Sequence, residues 1–224
     1  MGYDLDFSAI TSNISLFAQG IGVTLQLTVL TALFGLTLSI GGAVAALHGP
    51  RPVRLLITTY VEMIRNTPFI VQLFFIFFGL PSLGLRLSAF VASVIAMTVN
   101  LSAYGLEIVR AGLLAVPPGQ HEGAKSLGLR PAVSFLKVIL PQAIATVFPS
   151  LASQVVIMML ESAVVSQIAV TDLTHIADYI QSRTYRAFET YFVTAVLYLV
   201  MALVLRHAFD WFGRRFVFAW KAPR

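Results

Sequence analysis

No charged side chain occurs between Asp6 and Arg51, and most of residues 18–47 within that interval are apolar. About 20 apolar residues cross a hydrocarbon core of about 30 Å, so this stretch spans a bilayer with length to spare. The pattern recurs along all 224 residues, of which 58% are hydrophobic and 11% charged. Soluble domains carry about 25% charged residues. A soluble fold has no interior able to hide this much apolar surface, so the expectation is an all-α integral membrane protein forming one domain over residues 1–224.

Breakers and charges divide the chain into five expected spans, at about 18–47, 55–80, 87–116, 141–170 and 188–205. The first ends in the cluster His48-Gly49-Pro50-Arg51-Pro52-Val53-Arg54, the second at Pro81 and Gly84. Residues 117–137 and 171–187 read as polar loops. The tail interleaves Arg206, Arg214, Arg215, Lys221 and Arg224 with aromatic residues, as an interfacial helix does. With the amino terminus outside, eleven of the fifteen lysines and arginines fall on inner segments, against four (Arg65, Arg86, Arg183 and Arg186) elsewhere. Basic residues accumulate on the cytoplasmic side, so the carboxyl terminus is expected in the cytoplasm of a bacterial inner membrane. Acidic Asp4 and Asp6 stand where a cleaved signal would be basic, so the first apolar run is read as a retained span.

Several function classes fall away. The net charge of +5 reads as membrane topology rather than as nucleic-acid binding. Cysteine is absent, and His48, His121, His175 and His207 form no metal-ligand spacing, so no metal site is expected. An intramembrane hydrolase needs serine with histidine, or paired aspartates, at membrane depth. Ser102 and Ser162 have no such histidine and no aspartate falls within a predicted span, so no catalytic residue is assigned.

The most informative segment runs from Pro117 to Pro131. Two prolines open it, Glu122 lies in its first turns where a carboxylate complements the helix dipole, and Gly128 followed by Pro131 closes it. A short cytoplasmic helix is predicted over about 118–128. Gly119 to Ser126 also reads one substitution away from a phosphate-cradling loop, but Ala124 replaces its second glycine and a membrane span replaces its buried strand. ATP binding by this loop is therefore not expected.

The spacing of Glu122, Gly123, Ala124, Gly128, Val138, Leu140 and Pro141 resembles the signature E-A-A-x3-G-x9-I-x-L-P of the membrane subunits of binding-protein-dependent ABC importers. Gly123 replaces an alanine and Val138 an isoleucine. Residues 20–28, 62–75 and 102–112 are similar to the permeases for polar amino acids, the group serving histidine, glutamine, basic amino acids and opines. The resemblance implies a type I importer permease fold. It also implies that the loop is a coupling helix, with Gly119, Glu122, Gly123, Ala124, Leu127 and Gly128 meeting a separate ATPase subunit. The implied partners are a dimer of ATPase subunits that carries ATP and Mg, a second permease chain (the same or a sister), and a periplasmic solute-binding protein. No cofactor is expected on this chain. A stand-alone channel or ion-coupled carrier is the competing class, and it would leave the signature loop without a purpose.

Polar groups at membrane depth are costly and mark solute paths or helix contacts. Glu62 with Arg65, and Glu107 with Arg110, are three apart and able to pair along one helix face. Pro68 frees the carbonyl of Ile64, so a kink or broken helix is expected at Asn66-Thr67-Pro68. Arg65, Asn100, Tyr104, Gln154, Glu161 and Ser162 are the candidate solute-site residues. Glu161 has no basic neighbour on its own helix face, and two roles stand open for it: contact with a cationic solute, or contact with another helix or subunit. Where the family often has a lysine followed by Thr-Ser-Leu, this chain has Leu160-Glu161-Ser162-Ala163-Val164, which turns the expectation toward a solute with a positive group.

Overall fold

The computed structural model describes residues 4–218, and every regular element within them is helical. The α-helices are α1 (Ser8–Thr11), α2 (Ile14–His48), α3 (Arg51–Arg65), α4 (Phe69–Phe74), α5 (Ala89–Leu114), α6 (Pro118–Ser126), α7 (Pro131–Ser134), α8 (Leu140–Glu161), α9 (Leu173–Thr184) and α10 (Ala187–Phe212). Four helical segments are long and apolar enough to cross a membrane: Ile14–His48, Ala89–Leu114, Pro131–Ile168 and Ala187–Val217. A fifth is possible if Arg51–Arg65 and Phe69–Leu83, bent by 110° at their break, form one span.

The break expected at Asn66-Thr67-Pro68 is present and divides the second span into α3 and α4. Three boundaries differ from the sequence expectation. The fourth helix starts at Pro131 rather than Pro141, since a π-helical turn at Phe135–Ile139 lets the helix run through a residue that has no N–H to donate. Residues 171–187, expected as a loop, contain α9. The last helix continues past Leu205 to Phe212 and a π-helical turn at Gly213–Val217. Of the expected tail, Trp220, Lys221 and Arg224 lie outside the described residues.

Helix α5 is the axis of the bundle, the most buried of the candidate spans, and packs along α2, α8 and α3. Small residues let these helices approach. A Cβ on Gly35 would lie 2.8 Å from Leu101 Cδ2, and one on Gly112 would lie 2.9 Å from the Ala143 carbonyl oxygen. Apolar side chains also cover the outside: Val29, Leu33 and Leu38 on α2 and Phe192, Leu199 and Val204 on α10 are exposed. An outer surface of that kind fits hydrocarbon rather than water.

Helix α9 packs on α2 and α10 through Leu173, Ile176, Ala177 and Ile180. Asp172 caps it, accepting from the His175 N–H at 2.9 Å and from the Tyr198 hydroxyl at 3.2 Å. Tyr185 ends it in the left-handed region at φ 57°. Asp172 is fully buried between the spans. Burial pushes its carboxyl up to about 6 from an ordinary 3.8, against the opposing hydrogen bonds from His175, Thr174 and Tyr198 and the charge of His175. The folded chain therefore binds this proton more tightly than the unfolded one, and the contribution of Asp172 to stability is lost as pH rises from about 4 to about 6. Asp172→Asn keeps a capping oxygen and removes the titration, so the decline in melting temperature across that window is expected to flatten in the variant.

Candidate functional site

Two constellations combine exposed or cavity-lining polar groups with restrained backbone. The first is α6. Pro117 holds an extended φ/ψ of −58° and 139°, and Pro118 occupies the first helical position, where a missing N–H costs nothing. At the other end the Gly128 N–H donates to the Lys125 carbonyl at 3.0 Å and the Leu129 N–H to the Ala124 carbonyl at 3.2 Å. Gly128 has φ +68°, a conformation that costs a side-chain-bearing residue about 1–2 kcal/mol.

This capped helix is anchored on one side only. Ala124 is buried, and Gln142 Nε2 donates to Gln120 Oε1 at 3.1 Å, tying α6 to α8. Gly119, Glu122, Gly123 and Gly128 are exposed, and Leu127 is 78% exposed. A Cβ on Gly119, Gly123 or Gly128 would meet nothing within 4 Å. Packing within this chain therefore does not require the glycines at 119 and 123. Glu122 forms no ion pair within 4 Å among the described residues. The result is a rigid, capped helix that presents an acid, an apolar knob and two bare backbone positions to whatever lies beyond it.

The second constellation surrounds the broken helix. Gln72 Nε2 donates to the Ile64 carbonyl freed by Pro68 at 2.8 Å, and to the Thr67 carbonyl and hydroxyl at 3.0 Å each. Asn100 Nδ2 donates to Gln72 Oε1 at 3.0 Å, which ties the break to α5. Gln72 is thus the keystone of the break, and it was not among the expected site residues. A side-chain amide four residues after a helix-breaking proline is the signal that identifies it, because it can reach the orphaned carbonyl.

An open cavity of about 390 Å³ adjoins the break, lined by Arg65, Asn66, Thr67, Pro68, Phe69, Asn100, Tyr104 and Glu161. Four candidate residues from three helices, Arg65, Asn100, Tyr104 and Glu161, thus line the same space. The Arg65 guanidinium carbon lies 5.4 Å from the Tyr104 ring centroid, and Asn100 Oδ1 is buried without a hydrogen-bond partner. Ser162 and Gln154 do not line it. Ser162 is fully buried and donates to the Met159 carbonyl at 2.6 Å, and Gln154 lies half-buried elsewhere on α8.

The cavity continues along α3. A neighbouring space lined by Val61, Glu62, Arg65, Asn66 and Tyr104 shares Arg65, Asn66 and Tyr104 with it. A third, of about 520 Å³, shares Val61, Glu62 and Arg65 with the second and reaches Arg54 and Arg110. Glu62 and Arg65 form no ion pair with each other, so both stay available to this path. Glu107 and Arg110 do pair, with contacts of 2.7 and 3.1 Å.

Comparison with known proteins gives this geometry its context. Residues 38–218 match the model of the family described as binding-protein-dependent transport system inner membrane component. The probable glutamine ABC transporter permease GlnM of Bacillus subtilis is 35% identical over 94% of this chain and 98% of its own. The arginine transport system permease ArtQ of the same organism is 33% identical over 90% of this chain and 93% of its own. A solved amino acid ABC transporter with histidines superposes with a TM-score of 0.86 at 42% identity, covering 95% of this chain and all of that one. The MetNI methionine ABC transporter shares the fold, with a TM-score of 0.75 at 21% identity over 90% of this chain and 96% of its own. The chain belongs to the inner membrane components of binding-protein-dependent transport systems, the membrane-spanning permease subunits of ABC importers.

Proposed function

We propose that this permease subunit carries a polar amino acid with a cationic side chain along the connected cavities of α3, and that α6 is its coupling helix. The observation that carries the proposal is the cavity at the broken helix, which sets a guanidinium, an aromatic ring and a carboxylate around one space. An amino acid offers matching groups. Arg65 suits its α-carboxylate and Glu161 a positive side chain. Relatives named for glutamine, arginine and cystine transport support a polar amino acid as solute, and one of the three names a cationic one.

ATP hydrolysis belongs to the partner subunit of such a transporter, and this chain is not itself catalytic. In the proposed assembly a dimer of ATPase subunits holding ATP and Mg docks on Gly119, Glu122, Gly123, Leu127 and Gly128; Ala124, expected among these contacts, is instead buried against its own chain. A second permease chain, the same or a sister, completes the pathway, and a periplasmic binding protein delivers the solute. The amino terminus faces outward and the carboxyl terminus the cytoplasm, a placement supported by the distribution of lysine and arginine. A rigid helix clamped by caps and fixed to α5 and α8 can convert closure of the ATPase into rotation of the bundle.

The chain has no cysteine, so single cysteines report its orientation and its partner together. Lys125→Cys is expected to react with an impermeant thiol reagent only from the cytoplasmic side, and to be shielded when the ATPase subunit is co-expressed. Labelling from outside, or labelling indifferent to the ATPase subunit, would contradict the placement of α6.

A further inference from the structure

A second groove, of about 390 Å³, lies between α8 and the end of α10 and shares no lining residue with the cavities of α3. Phe148, Pro149, Ala152, Val156 and Ile157 of α8 give it an apolar wall. Arg206 and Asp210 of α10 and Arg214 of the π-helical turn that continues it give it a charged one. Those three residues recur every four positions and so line one face of the helix end. Arg206 lies about 12 Å deeper along the helix than Arg214.

The groove is built rather than incidental. Phe148 is held by the rings of Phe209, Phe212 and Phe218 at centroid distances of 6.2, 6.1 and 5.9 Å. Gly213 permits the approach, since a Cβ there would stand 2.7 Å from Phe148 Cε1. At the same end of the chain's last helix Trp211 and Phe216 are exposed, with ring centroids 6.2 Å apart, in the manner of aromatic side chains at a membrane–water boundary.

The charges within it lack counterparts. The side chains of Arg206, Asp210 and Arg214 make no hydrogen bond or ion pair with any described residue, although Asp210 is four positions from each arginine. A guanidinium within the last turns of a membrane helix that finds no carboxylate calls for an anion from outside the chain. Two guanidinium groups and one carboxylate leave one net positive charge, which matches the single negative charge of a phosphodiester. Two copies of this chain paired through the groove about a two-fold axis would set arginine against arginine.

We propose that this groove binds an anionic phospholipid. Arg206 and Arg214 hold the phosphate, Asp210 accepts from a headgroup hydroxyl, and the Phe148 to Ile157 face of α8 seats an acyl chain. Basic pockets between membrane helices take anionic headgroups in this way. The site is independent of the solute pathway, so its failure would leave the proposed function intact.

Tryptophan fluorescence tests it, because Trp211 follows the groove residue Asp210 in the chain and the only other tryptophan is Trp220. With the permease complex in phosphatidylcholine vesicles, brominated phosphatidylglycerol added as a minor component is expected to quench far more strongly than brominated phosphatidylcholine. At about fivefold per unit of net positive charge, the groove's single excess charge gives the anionic lipid an advantage of about fivefold. Arg206→Gln with Arg214→Gln is expected to abolish that advantage, and Arg206→Lys with Arg214→Lys to keep most of it, which separates lost charge from lost folding. Equal quenching by the two lipids in the unaltered protein would overturn the proposal, as would an undiminished advantage in the glutamine variant. Relief by inorganic phosphate would assign a free anion instead. A disulfide between copies carrying Ile157→Cys would place a second chain there.

Discussion

Glu122→Lys is expected to abolish ATP-driven uptake while leaving the chain folded in the membrane. Glu122 is exposed, has no ion pair among the described residues, and sits in a helix held by Pro118 at one end and Gly128 at the other. Substitutions at such surface positions change stability by about 0.5 kcal/mol or less. At an interface the consequence is much larger. A like charge set against a complementary partner costs several kcal/mol, and every 1.4 kcal/mol is about tenfold in affinity. The amount of permease in the membrane should thus be unchanged, while co-purification of the ATPase subunit and uptake both fall at least about tenfold. Normal uptake with Glu122→Lys would remove α6 from the docking surface.

Glu161→Gln is expected to lower the affinity for cationic amino acids without a matching loss for neutral ones. Its carboxylate lines the cavity at the broken helix together with Arg65, Asn100 and Tyr104, and no described residue forms an ion pair with it. Removing one member of a desolvated, hydrogen-bonded charge pair costs about 2 kcal/mol or more, a factor of about 30. Glutamine keeps the shape and a hydrogen-bonding head, so a neutral solute loses little. Competition of arginine against glutamine for uptake reads the ratio, and an unchanged ratio would return Glu161 to a purely structural role.

Much of this was legible in the sequence because the bilayer allows few solutions. Lengths of apolar chain gave the long helices, and Pro68 announced the break in the second. Pro118 and Gly128 bounded α6, since one residue lacks an N–H and the other tolerates a positive φ. What escaped notice depended on side chains meeting across space. Spacing alone allowed a pair between Glu62 and Arg65, but α3 ends at Arg65, whose guanidinium lies over Tyr104 instead. Helix α9 was hidden because it is too polar and short for a span, and because Tyr185 rather than glycine takes the left-handed position at its end. Its start was visible in principle, as Asp172 followed three residues later by His175 has the spacing of an N-cap. Ser162 looked like a cavity residue from its place beside Glu161, but the turn of 3-10 helix beginning there points its hydroxyl back to Met159.

Reconstitution tests the coupled pathway most directly. The permease would be placed in liposomes with its ATPase subunit, enclosed ATP and external binding protein, and accumulation of radiolabelled arginine followed. Accumulation is expected only with ATP, ATPase subunit and binding protein all present, and Glu122→Lys should abolish it while the ATPase subunit stays active. Uptake of similar rate by the permease alone, without ATP, would contradict a coupled importer and identify a self-sufficient channel or carrier.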